Sequence, residues 1–264
     1  MPFVVRDDVR LAWTAKGPQD APALLLLNSI GTNRRLWDEV VPRLGDYRLV
    51  RMDTRGHGES SVPAGDYSLE MLAQDALAVL DAAGIDKAVI AGVSLGGMIA
   101  MQLALDHPER VSGLVPICTS ATMDSKAWQA RIDTVCGEGM EAIVSLAMGR
   151  FLSPEFIARH PATATNVEHG LRSMNAAGYA GCGAAIRDMN ILGRLPGISV
   201  PTLVISGDLD TSTPYRGHGE HLMSAISGAK ALELHCAHLA PLEAPVELAD
   251  AMARFVAASV VECA

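Results

Sequence analysis

One serine stands in a sequence context that is typical of a catalytic nucleophile. Ser94 is the centre of residues 92–96, Gly-Val-Ser-Leu-Gly, which follow a short apolar strand and open an apolar helix. Small residues flank the serine because this turn from strand to helix is too tight for larger side chains. The turn also places the hydroxyl at a helix N-terminus, where free N–H groups favour negative charge. We therefore predict that Ser94 is a nucleophile.

A serine nucleophile needs a general base, and eight histidines are available. His238 lies in the loop after the last predicted strand, and such loops face the active-site edge of a parallel sheet. We therefore predict that His238 is the base, with His235, near the end of that strand, as the alternative. The other histidines lie in predicted turns (His57, His107, His160) or helices (His169, His218, His221).

A carboxylate should follow the strand predicted at residues 202–206, and two are present. Asp210 lies clear of the strand end and is our candidate for the acid, which leaves Asp208 as a structural turn residue. The order serine, aspartate, histidine along the chain is that of the α/β-hydrolase fold. The acid would hold the imidazole in one tautomer and stabilise the imidazolium.

The oxyanion of an acyl-transfer intermediate needs two backbone N–H donors. We predict that Leu95, directly after the nucleophile, provides one of them. Ile30 would provide the second from the loop at residues 28–32, where Gly31 keeps the loop close. The alternative for this loop is an ordinary turn.

The pattern of elements around these residues alternates between strands and helices, which indicates a mostly parallel sheet with helices on both faces. Between residues 124 and 190 helical segments follow one another without a clear strand. We therefore predict an α/β fold with a core at residues 1–123 and 191–264 and an inserted helical cap at residues 124–190. The remaining predicted elements are a hairpin (3–15), strands (23–27, 47–52, 113–118, 231–235) and helices (34–44, 69–83, 214–226, 245–260).

With these residues placed, the chain resembles the α/β-hydrolase superfamily from end to end. Residues 53–60, D-x-R-G-x-G-x-S, match the family's loop after the fourth strand, and we interpret this loop as scaffold in which His57 is not catalytic. Within the superfamily the chain most resembles the 3-oxoadipate enol-lactonases. Asn28-Ser29, where many relatives carry His-Gly, discriminates best. The other resembling stretches are residues 30–32 with Trp37, 67–70, 94–98 and 107–111.

This resemblance implies hydrolysis of an enol-lactone that carries a carboxylate. Residues 128–131 resemble a W-x-x-R that lines the family's lactone pocket, so Trp128 and Arg131 are candidate substrate contacts. Arg131 and Arg150 are candidates for the carboxylate, because a guanidinium can bind it in a bidentate manner; the alternative is that both are surface arginines. The family pattern has tryptophan after Arg150, where this chain has Phe151. Trp37 is a further candidate for the pocket wall, with core packing as the alternative.

Three functions fit these residues. The first is a serine hydrolase that opens a carboxylated enol-lactone through an acyl-enzyme. The second is another lactonase, a carboxylesterase or a C–C bond hydrolase with the same three residues. The third is a catalytically idle ligand receptor on this fold. Serine at position 94 excludes nucleophilic aspartate chemistry.

The charge of the chain bears on its partners. The 264 residues carry a formal net charge of −9, which argues against nucleic acid and anionic membranes as partners. Residues 124–190 are close to neutral, and five of their six positive charges are arginines. The acidity therefore lies in the predicted core and does not exclude an anionic substrate. We expect a small-molecule lactone or ester as the partner.

The remaining motifs favour a cytoplasmic protein without a cofactor. Nucleotide-binding glycine motifs are absent, and the H-x-x-H pairs lack further ligands, so neither a cofactor nor a metal is expected. The widely spaced cysteines without C-x-x-C indicate thiols in a reducing compartment. No secretory signal or membrane span is evident, and we expect a monomer or homodimer. The cysteines are Cys118, Cys136, Cys182, Cys236 and Cys263.

Overall fold

The computed structural model describes residues 2–261, which form one eight-stranded sheet in the order β1-β2-β4-β3-β5-β6-β7-β8. From β4 to β8 all neighbouring strands are parallel, and β1 and β2 extend this sheet in antiparallel fashion. The strands are β1 (Phe3–Arg6), β2 (Val9–Lys16), β3 (Ala23–Leu27), β4 (Arg48–Met52), β5 (Ala88–Val93), β6 (Val111–Ile117), β7 (Leu203–Gly207) and β8 (Lys230–Leu234).

The central strands are apolar because helices cover both of their faces. Every residue of β5 is buried, as are the last four of β3, so neither strand shows the alternation of a half-exposed strand. Parallel strands end at the same edge, and the carboxyl ends of β3, β5, β7 and β8 therefore bring distant parts of the chain together. The predicted α/β fold is confirmed.

Two groups of helices accompany the sheet. Those connecting or flanking its strands are α1 (Leu69–Ala82), α2 (Leu95–Asp106), α8 (Glu220–Ala225), α9 (Ala240–Glu243) and α10 (Pro245–Val261). Those between β6 and β7 are α3 (Ser125–Glu138), α4 (Glu141–Phe151), α5 (Pro154–Arg159), α6 (Pro161–Arg172) and α7 (Ala176–Asp188). Short 3-10 turns lie at Arg34–Trp37, Val41–Arg43, Pro108–Arg110 and Leu192–Gly197.

Local signals place several helix ends where the sequence predicts them. Ser68 accepts a hydrogen bond from the N–H of Met71 and so caps α1. Gly84 follows the end of α1 with a φ of 68°, a conformation that glycine adopts without strain. The predicted cap and stop of this helix are therefore confirmed.

Two predicted helices are wrong in extent. Residues 34–44 form two 3-10 turns, because Pro42 has no N–H to donate to the preceding turn. Residues 214–226 become helical only from Glu220, because Arg216 and Gly217 have non-helical backbone angles. The spacing of apolar residues alone does not reveal that either predicted helix is interrupted.

The helices between β6 and β7 are fastened to the core through α7. A Cβ added to Gly178 would lie 2.2 Å from the carbonyl oxygen of Gly56, so the two backbones touch directly. The N–H of Tyr67 donates to the carbonyl of Gly181 at 3.1 Å, and Arg187 forms an ion pair with Asp66 at 2.8 Å. These contacts join the insertion to the loop between β4 and α1. The division into core and cap at residues 124 and 190 stays a prediction.

Two further findings concern membrane-spanning helices and disulfides. None of the helices in the described residues is long and apolar enough to cross a membrane. The four cysteines within these residues are free, and Cys263 lies outside them.

The contact between Gly178 and Gly56 gives a test of this docking. Gly178→Ala should lower the free energy of unfolding by about 2 kcal/mol, because the methyl group overlaps the Gly56 backbone. Gly170→Ala is the matched control on α6, where an added Cβ meets nothing within 4 Å; there we expect a change within about 1 kcal/mol. Urea denaturation measures both, and equal effects would contradict the close contact.

Candidate active site

The turn between β5 and α2 holds Ser94 in a strained backbone conformation. Its φ of 55° and ψ of −116° lie outside the regions that a non-glycine residue prefers, at a typical cost of about 1–3 kcal/mol. The turn is held on two sides: the N–H of Ser94 donates to Ile117 at 2.9 Å, and the Thr119 hydroxyl donates to the Ser94 carbonyl at 2.6 Å. The neighbouring strand β6 thus maintains the turn.

The glycines of the motif are required by close packing. A Cβ at Gly92 would lie 2.2 Å from the carbonyl of Gly96, on the other side of the turn. A Cβ at Gly96 would lie 2.5 Å from the carbonyl oxygen of Leu27, the last residue of β3. Larger residues at either position would push α2 away from the sheet, so the motif fixes the position of Ser94.

The structure brings His238 and Asp210 together beyond the ends of β8 and β7. His238 Nδ1 lies 2.9 Å from Asp210 Oδ2, and both side chains are buried. Asp210 also accepts hydrogen bonds from the N–H groups of Ser212 (2.7 Å) and Thr213 (3.2 Å) and from the Thr213 hydroxyl (2.8 Å). Burial acts to raise the pKa of Asp210, but His238 and Thr213 together lower this pKa to about 2. An ionised carboxylate therefore faces Nδ1 and leaves Nε2 available as a base.

The alternative residues form a separate pair at the surface. His235 Nδ1 lies 2.7 Å from Asp208 Oδ2, and Asp208 also accepts the N–H of Cys236 at 3.2 Å. The His235 side chain is 73% exposed, whereas that of His238 is 3% exposed. A solvated imidazole is a poor candidate for the base of a water-excluding site, and the geometry therefore favours His238 and Asp210.

Ser94 and His238 lie at the same sheet edge without a hydrogen bond between them in the described residues. Such hydrogen bonds often form only when substrate binds, so the lack of one here does not argue against His238 as the base. The predicted oxyanion donors are likewise not engaged in hydrogen bonds within the described residues. The N–H groups of Ile30 and Leu95 have no hydrogen-bond acceptor among the described residues, although both side chains are buried.

Phe151, at the end of α4, covers the imidazole of His238. The two rings are stacked with centroids 6.1 Å apart, and the N–H of Leu239 donates to the Phe151 carbonyl at 3.1 Å. Glu243 adds a second link, because its carboxylate accepts the N–H of Ser153 at 2.6 Å and that of Ala237 at 3.1 Å. The loop that carries His238 is therefore bound to the inserted helices. The sequence revealed Phe151 only as a departure from a family pattern and gave no signal for Glu243.

Within the described part of the chain, two arginines of the insertion form no ion pair with an acidic side chain. Arg131 stacks over the Trp128 ring at 4.6 Å, and burial together with repulsion from Arg131 lowers the pKa of Arg150. Both arginines are half-buried, and within the described residues neither forms an ion pair. The hydroxyl of Tyr179 is buried beside them; burial raises its pKa, while the two guanidinium groups act in the opposite direction. The structure thus joins Trp128, Arg131 and Arg150 in one cluster, to which it adds Tyr179.

Trp37 is placed differently. Its side chain has no accessible surface and belongs to the main hydrophobic core, so the structure shows core packing rather than a pocket wall.

A surface cleft of about 800 Å³ lies between α6 and the loops after β3 and β4. The residues lining it include Gly31 and His57 but none of Ser94, His238 and Arg131.

Comparison with known proteins agrees with the fold described above. Residues 22–135 match the family model for the alpha/beta hydrolase fold. The chain is 35% identical over 240 residues to "3-oxoadipate enol-lactonase 2" of Acinetobacter baylyi, a match that covers 90% of each chain. The chain belongs to the α/β-hydrolase family. The predicted family and the predicted class of enzyme, a hydrolase, are thereby confirmed.

Solved structures of this family superpose on nearly the whole chain. The enol-lactonase from Burkholderia xenovorans LB400 is 30% identical and has a TM-score of 0.94, with 97% of this chain and 100% of that chain covered. A thermophilic esterase from Thermogutta terrifontis, solved with malate bound, is 25% identical with a TM-score of 0.89, and 95% and 94% of the two chains are covered.

His57 was interpreted as scaffold, and the structure gives it a defined protonation state. Its Nε2 accepts the N–H of Gly31 at 3.0 Å, and its Nδ1 lies 3.2 Å from the Arg55 carbonyl. The ring must therefore be neutral, with its proton on Nδ1. Complete burial lowers the pKa of His57 from 6.5 to about 4, against the effect of the Arg55 carbonyl.

This pKa gives a test in the pH dependence of stability. Between pH 6.5 and 4 the unfolded chain binds a proton at His57 that the folded chain rejects, so this group contributes full stability above pH 6.5 and loses it as the pH falls. At pH 4 the free energy of unfolding should be lower by about 3 kcal/mol because of His57. His57→Gln should flatten this part of the curve in urea denaturation. Parallel curves for wild type and His57→Gln would contradict the assignment.

Proposed function

We propose that this protein opens the ring of an enol-lactone that carries a carboxylate, such as 3-oxoadipate enol-lactone, through an acyl-enzyme on Ser94. His238 is the general base, Asp210 orients it, and the N–H groups of Ile30 and Leu95 bind the oxyanion. The geometry of the buried pair and the strained turn support these roles.

The observation that carries the substrate class is a pair of arginines for which the described residues provide no ion pair. The other arginines of residues 124–190 all contact a carboxylate in the described structure: Arg159 contacts Glu155, Arg172 contacts Glu141 and Glu168, and Arg187 contacts Asp66 and Asp188. Arg131 and Arg150 instead form no ion pair within the described residues, and burial together with repulsion from Arg131 lowers the pKa of Arg150. A substrate carboxylate would relieve this repulsion and accept charge-assisted hydrogen bonds.

The position of this cluster relative to the base supports the same substrate. Arg150 directly precedes Phe151, whose ring stacks on His238, and Arg131 stacks on Trp128. We infer that Trp128, Arg131 and Arg150 hold the carboxylate arm while the lactone carbonyl reaches Ser94. The enol-lactonase relatives agree with this class, and the malate bound to the esterase shows a carboxylate-bearing molecule on a similar fold.

The chemistry follows from these positions. His238 takes the hydroxyl proton as Ser94 attacks the lactone carbonyl, and the two N–H groups stabilise the oxyanion. Collapse of the intermediate cleaves the ring C–O bond, and His238 returns its proton to the ring oxygen, which leaves as an enol more easily than an alkoxide would leave. Water activated by His238 then releases the acid, and the enol tautomerises to the ketone. Neither a cofactor nor a metal enters these steps.

Three further predictions accompany this function. Residues 124–190 act as a cap over the site, and the contacts of Phe151 and Glu243 with the loop of His238 support this role. The protein acts in the cytoplasm, as a monomer or a homodimer.

A panel of carboxylated and neutral lactones tests the proposal. Wild-type protein should hydrolyse the carboxylated lactones best, and Arg131→Ala should raise KM for them roughly 10- to 100-fold while leaving neutral lactones unchanged, because one charge-assisted contact is lost. Arg159→Ala, at an exposed arginine that contacts Glu155, is the matched control and should change neither value. Equal rates on both groups of lactones, or an unchanged KM in Arg131→Ala, would refute the carboxylate assignment.

A further inference from the structure

The loop at residues 53–60, interpreted above as scaffold, touches the predicted oxyanion loop at two points. The Thr54 hydroxyl donates to Asn28 Oδ1 at 3.2 Å, and the N–H of Gly31 donates to His57 Nε2 at 3.0 Å. All four residues are buried. The loop after β4 therefore holds the loop after β3 at both of its ends.

Asn28 transmits the first of these contacts to the backbone. Its Nδ2 donates to the Ser29 carbonyl at 3.0 Å and to the Thr32 carbonyl at 2.8 Å. The two carbonyl acceptors fix which end of the amide is the donor, and Oδ1 is left to accept the hydrogen bond of the Thr54 hydroxyl. A His-Gly pair at residues 28 and 29 would offer a different set of donors, so Asn28 is matched to this particular loop.

The Ser29 carbonyl is held by three donors, and this determines the direction of the Ile30 N–H. Besides Asn28 Nδ2, the carbonyl accepts the N–H of Thr32 at 3.2 Å and its hydroxyl at 2.8 Å. The Ser29 carbonyl and the Ile30 N–H belong to one planar trans peptide, in which they point in opposite directions. Fixing the carbonyl on the Asn28 side therefore directs the N–H away from it, toward a position where no described residue accepts it.

His57 fixes the next peptide. The N–H of Gly31 is bound to Nε2, and Gly31 has a φ of 78°, so this peptide could otherwise rotate easily. The acceptor is maintained because the proton of the ring stays on Nδ1, between the Arg55 carbonyl and the Cys182 sulfur.

We propose that Asn28 and His57 are positioning residues of the oxyanion hole, which fix the peptide groups on either side of Ile30 before substrate binds. The proposal rests on the proposed acyl transfer at Ser94 but not on the class of lactone. Donors oriented in advance stabilise the transition state without reorganisation, whereas a mobile peptide must be ordered in each turnover. Neither residue touches substrate.

The central variant is His57→Leu, which fills the space but cannot accept the Gly31 N–H. We expect kcat for p-nitrophenyl acetate to fall roughly 10- to 100-fold with KM within about twofold of wild type, because only transition-state stabilisation is lost. The affinity for phenylboronic acid, which forms a tetrahedral adduct with a serine, should fall with kcat. His57→Gln can place Oε1 near the position of Nε2 and should recover a large part of both losses.

Controls separate positioning from folding. Rates are expressed per site labelled by a fluorophosphonate, so unfolded molecules do not count. His107→Leu removes another histidine, one that bonds Gln74 away from this loop, and should leave kcat and boronate affinity unchanged. Thr54→Val is nearly isosteric, releases Asn28 Oδ1 and should lower kcat several-fold with KM unchanged.

The outcomes distinguish this proposal from the proposed function. Wild-type kcat in both His57→Leu and Thr54→Val, or losses that appear in KM and not in boronate affinity, would overturn it. A lactone panel without preference for a carboxylate would refute the substrate class and leave this result in force. Failure of wild-type protein to hydrolyse any ester would overturn the proposed acyl transfer and this inference together.

Discussion

The direct packing of the turn between β5 and α2 against β3 is the constraint on which the rest of the site depends. Gly92 and Gly96 leave no room for a side chain, so the Ser94 backbone is forced to a positive φ and its hydroxyl stands at the N-terminus of α2. The same contact brings Gly96 onto the Leu27 carbonyl, directly before the loop that carries Ile30. One steric arrangement therefore positions the nucleophile and sets the distance between the two proposed oxyanion donors.

The other parts of the site are held by loops that contact one another rather than by single elements. Asp210 is held by its own turn through Thr213, and His238 is held between Asp210 and Phe151. Glu243 connects the loop before His238 to Ser153 at the start of α5. Any movement of the insertion around Ser153 is therefore coupled to the imidazole, so the proposed substrate contacts and the proposed base are linked by direct contacts.

The sequence predicted those features that depend on local patterns. The G-x-S-x-G turn, the cap at Ser68 and the alternation of strands and helices follow from residue spacing, and the structure has them. The helix predicted at residues 34–44 failed because Pro42 interrupts hydrogen bonding within an otherwise helical apolar pattern. The contacts of His57 with Gly31 and of Phe151 with His238, and the repulsion between Arg131 and Arg150, join residues far apart in the chain, and no spacing rule reveals them. That these arginines form no ion pair within the described residues also needs three-dimensional information, because the insertion contains seven acidic residues.

In the proposed reaction the substrate acylates Ser94, and the base that takes the serine proton is held in a buried pair with Asp210. The most direct measurement is rapid acid quenching of the protein with a p-nitrophenyl ester, followed by peptide mass spectrometry. We expect an acyl group on the peptide that contains Ser94, which accumulates in wild-type protein and is absent from Ser94→Ala. Acylation of a different residue, or hydrolysis by Ser94→Ala at the wild-type rate, would contradict it.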